Sequence, residues 1–307
     1  MKTPKPGNTL IKIAKRAVSP KHTATLAKEL WKRQEDSVSG HEAELRFCAD
    51  VLTSDFLNYG FHEDPGLPPE RISLHDIQQA QLRYSELVAA EVRDNTRPVL
   101  DAGCGMGGML RLLHERGFNA VGLTPNRFQA QHIKSKQPGV SLLEGKFLRS
   151  VLKPYRGKFG TVVTAESFQY FRLSEAIKTI DYATGPKGRW VLADYFRVND
   201  SAQGSGHSWD DFLVELARWR WRIVSERDIT QNVLPTLHFL HMLGERVGRP
   251  AADFVAEKIR RKRPALNHLL VDVLQDWRNY AFGQLEAINP AAFARGKKYM
   301  LLVLERS

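Results

Sequence analysis

Apolar residues recur at helical spacing over residues 41–57 and 74–93. In the second stretch Leu74, Ile77, Leu82, Leu87 and Val88 form one stripe, and Ser73 stands where an N-cap belongs. Between the two lies Asn58-Tyr-Gly-Phe-His-Glu-Asp-Pro-Gly-Leu-Pro-Pro69, an aromatic loop rich in turn residues. From residue 98 the pattern changes. Short apolar runs predict strands at 98–101, 119–123, 140–143, 161–165 and 189–194. Helical spacing separates them at 107–116, 126–136 and 174–183. That alternation implies a mostly parallel sheet covered by helices on both faces. A further strand is expected at 221–226 and a final one at 299–304, with a helix-rich insertion between them, about 231–296. The chain then divides into a basic segment 1–35, a helical cap 36–95 and an α/β domain 96–307 that contains the insertion.

Composition narrows the class. Of 307 residues, 42 % are hydrophobic and 26 % charged, which fits a globular chain and excludes a wholly disordered one. Two cysteines, Cys48 and Cys104, supply neither a disulfide framework nor a Cys-rich zinc site, so a reducing, cytoplasmic compartment is expected. Apolar runs such as 160–165 and 299–304 fall far short of the ~18 residues a membrane span needs. The net charge of +11 is uneven. Residues 1–33 hold nine Lys and Arg against Glu29 alone, which leaves the rest of the chain nearly neutral. Leu10, Ile13, Ala14 and Ala17 share a helical face there. The segment reads as a solvated leader, or as a peripheral contact with an anionic membrane or a polyanion.

Candidate chemistry concentrates in Val99-Leu-Asp-Ala-Gly-Cys-Gly-Met-Gly-Gly108, a glycine-rich turn after a strand and before a helix. Gly103, Gly105 and Gly107 permit sharp turns and close approach of a ligand to backbone. A phosphate-cradling dinucleotide loop has this form, and so does a glycine turn with no ligand. Asp101, at the strand end, would repel a pyrophosphate and attract an ammonium group.

Asp101-Ala-Gly-Cys-Gly-Met-Gly107 resembles the first motif of class I S-adenosylmethionine-dependent methyltransferases. The second strand ends in Gly122-Leu-Thr-Pro-Asn-Arg-Phe-Gln129, similar to the branch of cyclopropane fatty acid synthases, mycolic acid methyltransferases and tocopherol-type methyltransferases. The resemblance implies a Rossmann-like α/β sheet, mostly parallel and seven-stranded, with an N-terminal helical lid and a helical insertion before the last strand. It implies S-adenosylmethionine as cofactor. Asp101, Gly103, Cys104 and Gly105 would border its methionine part, Leu123, Thr124 and Gln129 its ribose, Gly145, Lys146 and Phe147 its adenine, and Glu166 its sulfonium. Tyr59-Gly60 is similar to the lid of these relatives.

Methyl transfer from a sulfonium rests mainly on positioning and desolvation, with a base needed only when the acceptor must lose a proton. Glu166, Tyr170 and Tyr59 are the catalytic candidates. Tyr59, His62, Phe168, Gln169, Tyr170, His238 and His241 are the acceptor-side candidates. Cyclopropane synthases have Glu-His where this chain has Gln169-Tyr170, which favours simple methylation of C, N or O. Two histidines do not make a metal site, and no carboxylate cluster suggests one. Trp209, Phe212, Trp219, Trp221, Phe239 and Trp277, assigned to the inserted helices, either line an apolar pocket or form core. The expected substrate is a small lipophilic or natural-product-like acceptor, with no specific nucleic acid. An RNA methyltransferase and a non-catalytic cofactor-binding scaffold are the alternatives.

Overall fold

A computed structural model of the chain describes residues 51, 53–198 and 205–306. The basic segment at the N-terminus lies outside the described residues, as do residues 41–50 and 52 of the first expected helix. Residues 53–57 are not helical. They form a loop over the glycine turn, where Phe56 is buried and the Asp55 carbonyl accepts the Gly108 N–H at 3.3 Å. Contact with that turn overrides the local helical spacing.

Helix α1, Leu74–Ala90, begins as its sequence dictates. The Ser73 side chain accepts the Asp76 N–H at 3.2 Å, and the Asp76 carboxylate accepts the Ser73 N–H at 2.8 Å, a reciprocal cap. The alternating region follows: β1 Val99–Ala102, α2 Gly108–Glu115, β2 Ala120–Thr124, α3 Arg127–Lys136, β3 Ser141–Glu144, β4 Thr161–Ala165, α4 Leu173–Thr184 and β5 Arg189–Arg197. A two-residue strand β6, His207–Ser208, then precedes α5, Trp209–Arg218, and β7, Trp221–Asp228. Helices α6 Thr230–Leu243, α7 Arg249–Lys262, α8 Pro264–Ala287 and α9 Pro290–Gly296 lead to β8, Lys297–Arg306.

The strands form one sheet in the order β3-β2-β1-β4-β5-β8-β7, with β6 beside β5. All pairs are parallel except those of β8, which runs antiparallel to both β5 and β7. The start of β8 therefore lies at the same edge as the carboxyl ends of β1 to β5. Its register with β5 is unbroken from Arg189↔Glu305 to Arg197↔Lys297.

Period-two alternation divides the core between the two faces. Val191, Ala193 and Tyr195 of β5 and Tyr299 and Leu301 of β8 pack with Tyr84 and Val88 of α1, Leu110 of α2, Val233 and Leu237 of α6 and Phe293 of α9. Trp190, Leu192 and Phe196 face the other way, with Ile177 and Ile180 of α4 and Phe212 of α5. The aromatic residues assigned to the insertion are thereby corrected. Trp209 and Phe212 belong to α5, before β7, and Trp221 opens β7 itself. With Phe196 and Trp190 they form a core cluster rather than a pocket wall.

Trp190 is fully buried, and its indole N–H donates to the Thr164 hydroxyl at 2.8 Å. Trp190→Ala is expected to lower stability by about 3–5 kcal/mol, read as a shift in the denaturant midpoint.

Candidate active site

The carboxyl edge of a parallel sheet is where strand-to-helix loops can converge on a ligand, and the crevice opens where neighbouring strands send their chains in opposite directions. Here β1 and β4 are those neighbours. The glycine turn leaves β1 against the next strand: the Gly103 and Cys104 N–H groups both donate to the Leu123 carbonyl, at 2.8 and 3.1 Å. Gly103 has φ +85°, and a Cβ there would come within 2.5 Å of the Ser167 Cβ, so no other residue fits without moving the β4 loop. The Ser167 hydroxyl in turn donates to the Ala102 carbonyl at 2.6 Å. Gly105, with φ +54°, is far less crowded; a Cβ would meet only Leu57, at 3.7 Å. The turn thus combines one glycine fixed by packing with one that leaves room above it.

Asp101 lies behind this turn, 2 % exposed, and its Oδ2 has no hydrogen-bond partner among the described residues. Burial raises its carboxyl to about 7. The same edge holds two more buried acids. Glu166, after β4, is pushed up to about 8 by burial, and Asp194, in β5, to about 7 by burial. Asp194 accepts the N–H groups of Gln169, at 3.1 Å, and Tyr195, at 2.9 Å. Glu166 stands at φ +50°, a left-handed conformation disfavoured for a side chain of its size, and its Oε1 accepts two bonds. One comes from the Tyr59 N–H at 2.8 Å and the other from the Tyr299 hydroxyl at 2.7 Å. Tyr299 also shares a 2.8 Å hydroxyl contact with Tyr84. Glu166 therefore joins the 53–62 segment to β8 and α1.

On the β2 side, the Thr124 hydroxyl donates to Gln129 Oε1 at 2.6 Å and accepts the Asn126 N–H at 3.1 Å. Thr124 is committed within the protein, and Gln129 keeps its amide N–H₂ as a donor. Leu123 and Cys104 are buried, and burial, then Asp101, pushes the Cys104 thiol well above its ordinary value. The Gly145 N–H donates to the Thr124 carbonyl at 2.9 Å. Lys146 points to solvent, while Phe147 packs against Phe171 with ring centres 4.8 Å apart.

The acceptor-side candidates separate. Tyr59 sits edge-on to Phe293, centroids 6.5 Å apart, and its phenol is raised by burial and then by Glu166, Tyr195 and Tyr170. Tyr195 bonds the Gln169 side chain and lies 2.6 Å from the Ser205 hydroxyl. Tyr170 is 78 % exposed at the rim. Two expected residues do not reach the crevice. Phe168 is wholly buried among Trp190, Phe196, His207 and Phe212. His62 is buried against α6, its Nε2 2.8 Å from the Thr236 hydroxyl, and there it fastens the aromatic loop to that helix. His238 and His241 lie half-buried in the later half of α6. Sequence reasoning missed Tyr84, Asp194, Tyr195, Phe293, Lys297 and Tyr299. Of these only Asp194 carried a signal, a charge within an otherwise apolar strand.

Sheet order, glycine turn and the buried acid behind it together define a class I methyltransferase fold. The chain belongs to the methyltransferase domain family, whose model matches residues 75–233. An uncharacterized methyltransferase of Alkaliphilus oremlandii is 29 % identical over 98 residues, 31 % of this chain and 44 % of that protein. Tocopherol O-methyltransferase of Arabidopsis thaliana is 24 % identical over 168 residues, 50 % of this chain and 47 % of that protein. The chain thus spans about half the length of these two curated relatives. Geranyl diphosphate C-methyltransferase of Streptomyces coelicolor, solved with S-adenosyl-L-homocysteine and geranyl-S-thiolodiphosphate, superposes with a TM-score of 0.62 at 17 % identity, covering 84 % of this chain and 91 % of that one.

Asp101, Glu166 and Asp194 each hold a proton in the folded state at pH values where the unfolded chain has lost it. Stability must then fall as pH rises from about 4 through 7 to 8. The unfolding free energy from urea titration is expected to decline by at least about 1 kcal/mol between pH 5 and pH 8, with a shallower decline in Asp101→Asn.

Proposed function

We propose that this protein transfers the methyl group of S-adenosylmethionine to a small lipophilic acceptor held beside Tyr59, Tyr195 and Phe293. The observation that carries the reading is the unpartnered Oδ2 of Asp101, buried behind a glycine turn that leaves space above Gly105. Ionising that carboxyl without a partner costs about 4 kcal/mol, and a bound cation recovers much of it. The donor fits, because it carries an ammonium and a sulfonium and needs neutral donors for its sugar. When bound it supplies an electrophilic methyl already activated by the positive sulfur.

Asp101 answers the ammonium. Gln129, with Thr124 holding its carbonyl oxygen, offers its amide N–H₂ to a ribose hydroxyl. Phe147 and Phe171 give an apolar wall at the β3 and β4 loops, suited to a flat base, and exposed Lys146 stands beside them. Glu166 has one oxygen fixed by Tyr59 and Tyr299 and one uncommitted. Ionised in the presence of a sulfonium, it stabilises that charge, and it can take a proton from an acceptor that must lose one. Because the Tyr59 N–H is one of its partners, the 53–62 segment works as a lid that shuts water from the crevice. Tyr59, Tyr195 and Phe293 supply an aromatic surface for an apolar acceptor, and Gln169 and Tyr170 stand at its outer side. The lipophilic class is supported by the small-molecule acceptors named for the tocopherol and geranyl diphosphate enzymes. A contact of residues 1–33 with an anionic membrane or a polyanion belongs to the same reading.

Calorimetric titration of the full chain with S-adenosylmethionine is expected to give saturable binding, weakened at least about tenfold, roughly 1.4 kcal/mol, in Asp101→Ala and less in Gln129→Ala. Affinity should rise from pH 6 to pH 8 as Asp101 ionises, by up to about tenfold per pH unit below 7, and that rise should flatten in Asp101→Asn. Equal affinity in wild type and Asp101→Ala would sink the assignment.

A further inference from the structure

Resting on the methyl-transfer reading of this edge, we propose that the acceptor carries an anionic group, a carboxylate or a phosphate, bound between Arg197 and Lys297.

The argument begins with register. Antiparallel pairing of β5 with β8 puts Arg197 directly opposite Lys297, two positions outward from the pair Tyr195↔Tyr299. Side chains two apart share a face, so both cations stand on the face that carries Tyr195 and Tyr299. Like charges directly opposite one another destabilise a sheet. Both residues are half-buried, and among the described residues neither makes an ion pair. The Lys297 Nζ stands over two aromatic rings, 4.4 Å from the Tyr195 centroid and 5.4 Å from that of Phe293. Arg197 spends its Nε on the Gly206 carbonyl at 3.0 Å, and among the described residues its terminal nitrogens have no hydrogen-bond partner.

Among the described residues, the neighbouring acids are already engaged elsewhere. Asp194 is the nearest buried acid, and its oxygens accept the backbone N–H groups of Gln169 and Tyr195. Glu166 lies inward, held by Tyr299 and the Tyr59 N–H. The Lys297 ammonium is lowered by burial and then by Arg197, with Asp194 opposing, as two cations sharing a half-dry site require. An incoming anion relieves that repulsion.

The placement also sets the acceptor's shape. The anion sits two residues of strand, about 7 Å, outward from Tyr299, the residue that grips Glu166. The apolar body of the acceptor lies against Tyr59, Tyr195 and Phe293. Acceptors whose only charge is an ammonium are repelled, so acidic amphiphiles are selected over amines.

The test uses full-length protein saturated with S-adenosylhomocysteine, titrated calorimetrically with decanoate, decyl phosphate and decylammonium. Decanoate or decyl phosphate should bind, the tighter of the two identifying the anion, and decylammonium should bind at least about tenfold more weakly. Lys297→Met and Arg197→Met should each lose at least about tenfold in affinity for the anionic ligand, Lys297→Arg should retain it, and affinity for S-adenosylhomocysteine should stay unchanged in all three. Absence of S-adenosylhomocysteine binding in wild type would overturn the cofactor reading and this one with it. With that binding intact, three results would overturn the anion site alone: no anionic amphiphile bound, decylammonium bound as tightly, or full affinity retained in both Met variants.

Discussion

A carboxyl group taken out of water resists ionisation until a positive charge arrives to share its burial. Three such groups, Asp101, Glu166 and Asp194, converge at the edge where β1, β4 and β5 end, and burial is the first cause of the upward shift in each. They differ in how far the protein itself satisfies them. Asp194 is bonded by backbone, Glu166 by backbone and a phenol, and one oxygen of Asp101 by nothing. That gradient separates two acids held by the protein's own hydrogen bonds from one that is only partly satisfied. In the proposed function, the cost of burying Asp101 is offset when a guest of the opposite charge occupies the turn.

Glu166 couples parts of the chain that lie far apart in sequence. Tyr59 is 107 residues away and Tyr299 is 133 away, yet both donate to the same oxygen. The left-handed conformation at Glu166 is sustained by these bonds, together with its own N–H donating to the Ala193 carbonyl at 2.9 Å. A movement of the 53–62 segment cannot leave Glu166 unaffected, and loss of the Glu166 carboxylate would remove the acceptor shared by the Tyr59 N–H and the Tyr299 hydroxyl. Access to the crevice and the electrostatics of the crevice are therefore one system.

Aromatic residues are sorted by the sheet. Even-numbered positions of β5 send Trp190 and Phe196 into a core with Phe168, Phe212 and Trp221, where ring packing contributes stability alone. Odd positions send Tyr195 towards Tyr59, Phe293 and Lys297, at the edge where chemistry is possible. Composition cannot distinguish the two groups, since both consist of large apolar rings.

Local rules determined much of this protein. Strand-helix alternation from residue 98 defined the parallel sheet, and Ser73 capped its helix with Asp76. The glycine turn with Asp101 behind it was legible because sharp turns and strand-end charges are properties of consecutive residues. Tertiary structure decided the rest. Residues 53–57 gave up helical spacing to cover the glycine turn, and Phe168 and His62 turned away from the crevice into packing and a helix contact. Tyr84, Tyr299 and Lys297 entered it from a helix and a strand more than 200 residues apart. Spacing along a chain reports which side chains share a face of one element. Which faces meet, and which charges are left without water, depends on register between strands distant in sequence, and no local pattern encodes it.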